Sequence, residues 1–406
     1  MPPAMTSLTP APLAGLRVLD LSRVMAGPLC AQALADLGAE VIKVEHPGRG
    51  DDTRDWGLRI GQHNTTYFNS CNRNKRSVAI DLQTPEGRDM ARQLAAKSDV
   101  LIQNFKHGGA EKMGLGYEDL KALNPGLIYC SIAGYSALGP EKARPGYDLV
   151  IQGETGLMAM NGEEGQGPLK FGIAAVDMFT GMYAGQAILA VLHERHRTGR
   201  GRHIQMSLYD GGMMITSYYG LTAWLQQADP PKFGNSHPSI VPYGVFDAAD
   251  GPVVIAVGNN GQFRKFCEAV IDRPDLPQDP RFAQNTERSK HRAVLLPILL
   301  AEIARHPRAR LIARMDAAGI PCGEVLGLYE ALGSARTREV GLWHRYEDSE
   351  AGTQGVHAPP YVFDGQRAPV HQPPPHLGEH TAEVLGELLG LQGSDLEGLR
   401  ARQVIR

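Results

Sequence analysis

Asp177 is a carboxylate placed between two apolar segments, where an acidic side chain is costly unless it has partners. Residues 171–176 are predicted to form a short buried strand, and residues 178–190 an uncharged apolar helix. At such a junction, unpaired backbone N–H groups and the positive end of the helix dipole favour the ionised carboxylate. We therefore expect Asp177 to be held as an anion, either as a plain helix N-cap or as a nucleophile or base.

Three polar loops adjoin predicted strands and carry several Arg and Lys side chains. They span residues 45–54, 72–77 and 104–109. Charged runs of this kind are usually solvated loops. If the three loops share one rim of a sheet, their cations suit a polyphosphate anion that carries a flat base.

Strands and helices alternate around these loops in the first third of the chain. Strands are predicted at 16–21, 39–45, 99–104 and 127–132, and helices at 28–37, 85–97 and 117–123. Alternation with continuous apolar strands predicts an α/β fold built on a Rossmann-like, doubly wound parallel sheet. Ligands of such sheets bind at the carboxyl ends of the strands.

A change of composition near residue 226 indicates a second, smaller α+β domain. It is expected to hold a hairpin at 243–257 and helices at 261–272 and 290–317. We assign residues 1–200 with 340–406 to the large domain, 225–325 to the small domain, and 201–224 and 326–339 to linkers. The Pro-rich stretch 359–375, followed by a helix at 380–390, is expected to return over the first domain or a partner subunit.

Composition removes several classes of function. The 406 residues carry a formal net charge of −3, which gives no reason to expect nucleic acid or a membrane as a partner. Five scattered cysteines without zinc or redox spacing predict free thiols in a reduced, cytoplasmic protein. Residues 1–12 are expected to be a loose tail rather than a signal peptide, and no apolar run reaches transmembrane length.

Several catalytic motifs do not occur in the sequence. There is no G-x-G-x-x-G after the first strand, no G-x-x-x-x-G-K-[ST] and no G-x-S-x-G. The fourteen histidines show no ligand spacing, so no metal site is predicted. The remaining possibility is an acyl or phosphate ligand held by scattered loops.

Motifs along most of the chain resemble those of the class III coenzyme A transferases, the family of formyl-CoA and carnitine CoA-transferases. The resemblance runs from about residue 13 to the C-terminus. It rests on the order and spacing of segments 13–20, 26–28, 37–45, 74–77, 104–106, 113–117, 144–148, 198–201 and 377–381. The pattern is most similar to members that move CoA between succinyl-CoA and dicarboxylic acids.

The resemblance implies that Asp177 matches the catalytic aspartate of the family. It also implies contacts with CoA at Val24, Met25, His46, Leu82, Asn104, Phe105, Lys106, Lys112, Tyr147 and Asp148. Two of these positions depart from the family, which often has Arg in place of His46 and commonly has Arg in place of Lys112. A lysine gives up the bidentate geometry that Arg offers to a phosphate.

The implied reaction moves CoA from an acyl-CoA donor to a small free carboxylic acid, with CoA as substrate and no permanently bound cofactor. Asp177 would pass through a mixed anhydride and an aspartyl-CoA thioester. Backbone N–H groups at the start of the following helix are expected to stabilise the oxyanions. The family also implies an interlocked homodimer.

Two side features of the implied site stay open. His237 or Arg73 is a candidate cation for the second carboxylate of a dicarboxylic acid, although a structural role for His237 fits equally well. Residues 258–262 are either a cover that excludes water or a plain hairpin-to-helix turn.

Two other functions fit part of the pattern. An α-methylacyl-CoA racemase would share the fold and the CoA site, but such enzymes use a His-Asp pair where this chain has Tyr147 and Asp148. A non-catalytic CoA-binding protein would use Asp177 only as a cap. Deuterium wash-in next to the thioester would reveal a racemase, and trapping an adduct on Asp177 would exclude simple binding.

Overall fold

The structure, a computed structural model, describes residues 11–406, so residues 1–10 of the predicted N-terminal tail lie outside it. The chain divides into two compact units. Unit 1 comprises the chain up to Leu157 together with Lys170–Trp224 and Ala335–Arg406. Unit 2 comprises Met158–Leu169 and Leu225–Ser334.

Eleven strands are labelled in chain order. They are β1 (Arg17–Asp20), β2 (Glu40–Glu45), β3 (Lys75–Ala79), β4 (Val100–Gln103), β5 (Ile128–Ala133), β6 (His203–Ser207), β7 (Tyr243–Ala248), β8 (Gly251–Ala256), β9 (Cys322–Glu324), β10 (Trp343–Asp348) and β11 (Gly352–His357). Two further short hairpins pair Arg59–Ile60 with Asn64–Thr65, and Val362–Phe363 with Gln366–Arg367.

Fourteen helices are labelled in the same way. They are α1 (Ala26–Asp36), α2 (Pro85–Ala96), α3 (Gly109–Lys112), α4 (Tyr117–Leu123), α5 (Asp148–Glu154), α6 (Ala175–Thr198), α7 (Leu208–Ile215), α8 (Ser217–Gln226), α9 (Asn260–Lys265), α10 (Asn285–Lys290), α11 (Arg292–Ile303), α12 (Arg308–Ala318), α13 (Thr381–Leu389) and α14 (Ser394–Ala401). Short turns of helix also occur at Asp52–Asp55, Thr66–Ser70, Leu157–Met160, Phe266–Val270, Leu276–Gln278, Leu328–Gly333 and Ala335–Glu339.

Unit 1 is built on a six-stranded parallel sheet in the order β3-β2-β1-β4-β5-β6. The central strands are continuous apolar runs, as expected for strands covered by helices on both faces. The strand order reverses direction between β1 and β4, so a ligand crevice is expected at the carboxyl ends of these two strands. The predicted Rossmann-like α/β fold is therefore confirmed.

The edge strand β6 lies within residues 201–224, which the sequence predicts to be a linker. In the structure this stretch also forms α7 and most of α8, all within unit 1. The strand signal of β6 is weak because His203, Gln205 and Ser207 interrupt the apolar residues of an edge strand.

Helix α6 packs its buried face against α1. Gly181 makes this approach possible, since a Cβ at that position would lie 2.5 Å from the carbonyl oxygen of Ala26. Among the described residues, α6 is one helix long and apolar enough to cross a membrane by length and composition. The sequence expectation concerned uninterrupted apolar runs, and α6 carries the carboxyl group of Asp177 in its first turn.

The Pro-rich return runs along unit 1, as one of the two predicted alternatives requires. Asn74 donates its backbone N–H to the carbonyl of Gln372 at 2.9 Å. Arg54 donates to the carbonyl of Pro375 at 3.3 Å. After this stretch, the hydroxyl of Thr381 at the start of α13 accepts a hydrogen bond from the N–H of Ala79 on β3 at 3.0 Å.

Unit 2 contains an antiparallel sheet in the order β9-β8-β7, packed against helices. The predicted hairpin at 243–257 is present as β7 and β8. The predicted helix at 290–317 is interrupted, because Pro307 serves as the N-cap of α12 and separates it from α11. The predicted helix at 261–272 is α9 followed by a wider turn at Phe266–Val270.

Candidate active site

Asp177 lies in the first turn of α6, which begins at Ala175. The predicted strand at 171–176 is absent from the structure, because these residues have no neighbouring strand to pair with and enter the helix directly. The N-cap position belongs to Ala174, which offers no side-chain cap. Asp177 is therefore neither at a strand end nor an N-cap, and this corrects the expectation from sequence.

The start of α6 is capped from a distance by Asp148, the first residue of α5. Asp148 Oδ1 accepts hydrogen bonds from the backbone N–H of Val176 at 2.8 Å and of Asp177 at 3.3 Å. Its Oδ2 accepts a bond from Gln152 Nε2 at 2.6 Å. The cap function that the sequence offered to Asp177 thus belongs to a residue predicted to contact CoA.

Residue Asp177 is 7% exposed, and the environment of its carboxyl group disfavours the anion. Burial, followed by the negative charge of Asp148, raises the pKa of Asp177 to about 7. The expectation of a firmly held anion was wrong, because Asp148 takes the helix N–H groups that would have favoured ionisation and adds a like charge. A carboxylate with such a pKa is a stronger base and nucleophile than an ordinary aspartate, and it is still substantially ionised near neutral pH.

Asp177 opens onto a cavity of about 420 Å³ at the carboxyl ends of β1, β4 and β5. Six of the residues predicted to contact CoA line the same cavity: Val24, Met25, Asn104, Phe105, Lys106 and Tyr147. The cavity therefore lies where the strand order reverses, as the fold requires.

The other predicted contacts are distributed differently. His46 and Leu82 line a smaller neighbouring cavity of about 160 Å³, and Arg23 and Phe105 border both cavities. Lys112 is exposed at the end of α3 and lines neither of them. Asp148 does not line the cavity, and it reaches the site by accepting hydrogen bonds from the backbone N–H groups at the start of α6.

The loop after β1 is held in a strained and well-braced conformation. Val24 has φ of +72°, a value that costs a β-branched residue of the order of 1–3 kcal/mol. Asp51 Oδ1 accepts the Val24 N–H at 3.2 Å. The Asn104 side chain pairs with both backbone groups of Arg23, at 2.9 and 2.7 Å. Asn104 is thus a brace for this loop.

Several basic residues of the polar loops predicted to bind phosphate form ion pairs inside the protein instead. Arg54 pairs with Glu45, and Arg73 pairs with Asp36. Lys75 is completely buried and lies 2.9 Å from Asp20. These side chains stabilise the loops and do not face a ligand, which also removes Arg73 as a partner for a substrate carboxylate.

The basic side chains left at the cavity wall are Arg23, Lys106, His107, Lys142 and Arg144. Arg23 and Arg144 have acidic partners in Asp52 and Glu154. Lys106 and His107 belong to the predicted polar loop 104–109, whereas Lys142 was missed by sequence reasoning, because nothing in its local pattern distinguishes it from a solvated residue.

Tyr67 is a second residue that sequence reasoning missed. Burial and the negative charge of Asp177 raise the pKa of its phenol to about 12, so it stays protonated near the carboxylate. Its position on the short helix Thr66–Ser70 carries no motif that would identify it.

The remaining predicted features belong to unit 2. Residues 258–262 comprise the end of the turn after β8 and the first turn of α9, and the Asn259 side chain caps α9 by accepting from the N–H of Gln262. His237 Nδ1 accepts from the N–H of Ser239 at 3.1 Å. Local structure thus accounts for both features, and a role as cover or carboxylate partner stays a prediction.

Comparison with known proteins identifies the family of the chain. Residues 13–381 match CoA-transferase family III. The succinate–glutarate CoA-transferase of Agrobacterium fabrum is 40% identical over 93% of this chain and 96% of that protein. The succinyl-CoA:glutarate CoA-transferase of Mus musculus is 38% identical over 97% of this chain and 90% of its own length. A crystal structure of a CAIB/BAIF family protein from Brucella suis superposes with a TM-score of 0.82 at 39% identity, covering 94% of this chain and all of the other.

Proposed function

This chain belongs to CoA-transferase family III, and on that premise we propose that it moves CoA from succinyl-CoA or a similar donor to a dicarboxylic acid through a covalent intermediate on Asp177. The similarity to relatives named for succinyl-CoA and glutarate supports this choice of substrates. The observation that carries the mechanism is the buried Asp177 carboxyl group, with its raised pKa, at the wall of a cavity lined by cations.

The first half of the reaction places the acyl group and then CoA on the enzyme. The ionised Asp177 carboxylate attacks the thioester carbonyl, the C–S bond breaks, and CoA leaves as the thiolate from a mixed anhydride. The thiolate then attacks the aspartyl carbonyl of the anhydride. This forms an aspartyl-CoA thioester and releases the donor acid as its carboxylate.

The second half reverses these steps with the acceptor acid. The acceptor carboxylate attacks the carbonyl of the aspartyl-CoA thioester. The C–S bond breaks, CoA departs as the thiolate, and a second anhydride joins Asp177 to the acceptor. The thiolate attacks the acceptor's carbonyl, which forms the product thioester and regenerates the Asp177 carboxylate. Because one thioester replaces another, we propose that the reaction needs neither ATP nor a permanently bound cofactor.

We place the oxyanion donors at the start of α1 rather than α6. The N–H groups of Val176 and Asp177 are engaged by Asp148, and that of Met178 bonds to the carbonyl of Ala174. The N-cap of α1, Met25, makes no side-chain capping bond, and Met25 and Ala26 line the cavity. A helix start with orphan N–H groups is suited to developing negative charge.

The proposal is tested by mass spectrometry of CoA products, with succinyl-CoA as donor and a panel of mono- and dicarboxylic acids as acceptors. We expect the dicarboxylic acids to be preferred and Asp177→Ala to abolish transfer. Asp210→Ala is the matched control, since Asp210 holds the same position in the first turn of α7 but is exposed. Near-normal transfer by the Asp177 variant would overturn the mechanism, and a preference for monocarboxylic acids would overturn the substrate class.

We also propose a homodimer, supported by an exposed apolar surface on α6, α7 and α8. Large side chains that are 38–82% exposed project from these helices: Met178, Phe179, Met182, Met213, Met214, Tyr218, Leu221 and Trp224. Surfaces of this kind are usually covered by a partner. Light scattering should show a dimer that Leu221→Glu with Trp224→Glu disrupts and that Leu138→Glu, at a lone exposed leucine, leaves intact. A monomeric wild type that binds lipid vesicles would contradict the homodimer.

We propose a cytoplasmic, reducing location for the protein. Its five cysteines are all free, and four of them are buried. Burial raises the pKa of the Cys71 thiol to about 11 and of Cys130 to about 12, so neither is prepared for oxidation. Cell fractionation of the tagged full chain tests this, and recovery in an oxidising compartment would overturn it.

A further inference from the structure

Three polar side chains from distant parts of unit 1 converge at one place outside the cavity of Asp177. His63 lies in the turn of the hairpin between Arg59–Ile60 and Asn64–Thr65. Glu350 lies in the turn between β10 and β11, and His376 lies at the end of the Pro-rich return, directly after residues 359–375. His63 and Glu350 are 287 residues apart in sequence. No local spacing could therefore have revealed this cluster.

The three residues bring ligand atoms to within 4.8 Å of one another. His63 Nδ1 lies 2.9 Å from Glu350 Oε1, and His376 Nδ1 lies 3.7 Å from Glu350 Oε2. Ligand atoms around a tetrahedral Zn²⁺ are about 3.3–3.5 Å apart when the bonds are about 2.0–2.2 Å long. These two separations fall on either side of this value, and no two ligand atoms of the cluster are more than 4.8 Å apart, so small side-chain movements would bring the atoms onto one ion.

The His376 ring is already arranged as a ligand. Its Nε2 faces Asp348 Oδ2 at 3.4 Å and Ser349 Oγ at 3.5 Å. Asp348 is itself fixed, because its Oδ1 accepts the N–H groups of Glu350 and Ala351 at 2.8 and 2.9 Å. A carboxylate behind one ring nitrogen holds the proton there and leaves the other nitrogen free to bind a metal.

The other nitrogen of His376 has no hydrogen-bond partner of its own. Nδ1 is buried and makes no hydrogen bond within residues 11–406. Buried polar atoms without partners are uncommon and call for an explanation such as an ion. The three side chains remain 20–24% exposed, which leaves an entry path.

We propose that His63, Glu350 and His376 bind one divalent transition-metal cation of the Zn²⁺ type, with water completing the coordination. Two imidazole nitrogens and one carboxylate suit Zn²⁺ and Co²⁺ better than Ca²⁺ or Mg²⁺, which prefer oxygen ligands. The ion would fasten the 59–65 hairpin, the β10–β11 hairpin and the Pro-rich return together. It would be structural and would take no part in CoA transfer.

Arg406 opposes the ion in a way that gives the proposal a specific signature. Its guanidinium lies 2.6 Å from His63 Nε2 and can only donate, so Nε2 accepts and the ring proton sits on Nδ1, facing Glu350. Metal binding at Nδ1 requires this proton to move to Nε2, which then becomes a donor, so the guanidinium must withdraw. Removing the Arg406 side chain should therefore tighten metal binding.

The test uses the full chain, stripped with a chelator and titrated with ZnCl₂ by calorimetry and with CoCl₂ by visible absorption. We expect one ion per chain and the absorption bands of a tetrahedral Co²⁺ site. His376→Gln and His63→Gln should each abolish stoichiometric binding, and Asp348→Asn should weaken it about 10–100-fold. Arg406→Ala should strengthen it.

His371→Gln is the matched control, because His371 is exposed on the same Pro-rich return but lies outside the cluster. Unchanged binding in this control, with retained CoA transfer and circular dichroism in every variant, shows that the variants are folded. Binding that is absent from the wild type, or that survives in both His63→Gln and His376→Gln, would overturn the proposal.

Discussion

Replacing Asp177 with asparagine should stabilise the folded protein at alkaline pH while abolishing CoA transfer. The pKa of Asp177 is raised from the usual 3.8 to about 7 by burial and by Asp148. Between these two values the folded state holds a proton that the unfolded chain has lost. Stability therefore falls as the pH rises through this window, and the loss is complete above about pH 7.

The size of the effect follows from the shift. Each pKa unit corresponds to 1.36 kcal/mol, so a shift of about three units costs the folded wild type about 4 kcal/mol above pH 7. Asparagine is neutral at every pH and matches the shape of the protonated side chain. The advantage of Asp177→Asn should be near zero at pH 4, grow between pH 4 and 7, and stay constant at higher pH.

Urea denaturation at a series of pH values measures this difference. The three tryptophans of the chain, Trp56, Trp224 and Trp343, all lie in unit 1, so their fluorescence reports unfolding of the unit that contains Asp177. Asp210→Asn, at an exposed position, serves as the control and should show no growing advantage. Two results would refute the reasoning. One is a stability difference between Asp177→Asn and the wild type that does not change with pH, and the other is a wild type that is more stable than Asp177→Asn at pH 8.

Three further predictions concern the residues around Asp177. Asp148→Asn removes one of the two causes of the raised pKa, so the acid limb of kcat/KM for acyl-CoA should move to lower pH; an unmoved limb in the pH–rate profile would contradict this. Lys75→Met leaves the buried Asp20 carboxylate without its ion-pair partner and should cost about 3–5 kcal/mol in urea denaturation, whereas a loss below 1 kcal/mol would contradict the importance of the pair. Lys106→Ala should raise KM for acyl-CoA about tenfold with little change in kcat, since the predicted contact of this exposed lysine with a CoA phosphate would aid binding throughout the reaction; a loss confined to kcat would contradict this.

Much of the fold could be predicted because its strands are strong local signals. β1, β2, β4 and β5 are apolar runs bounded by turns, and they were found close to their observed positions. The start of α6 was misplaced because its apolar residues fit a strand equally well, and only the lack of a neighbouring strand decides against it. β6 was missed because an edge strand needs fewer apolar residues than a central one.

The candidate site could be predicted only in part, because its chemistry depends on pairs that are distant in sequence. Asp177 could be identified from the sequence. The residue that caps the start of its helix and places a negative charge beside it is Asp148, 29 residues away. The loop at 72–77 contains Arg73 and Lys75, whose charges suggest a phosphate site. Both are neutralised by partners on α1 and β1 that no local pattern reveals.

The central claim is that Asp177 becomes covalently attached to the acyl group and to CoA. Incubating the full chain with succinyl-CoA, adding hydroxylamine and sequencing the peptides by mass spectrometry tests it directly. The account predicts a hydroxamate on Asp177 that appears only when acyl-CoA is present. If the enzyme transfers CoA under these conditions but shows no adduct on Asp177, or shows the adduct on another residue, the central claim is contradicted.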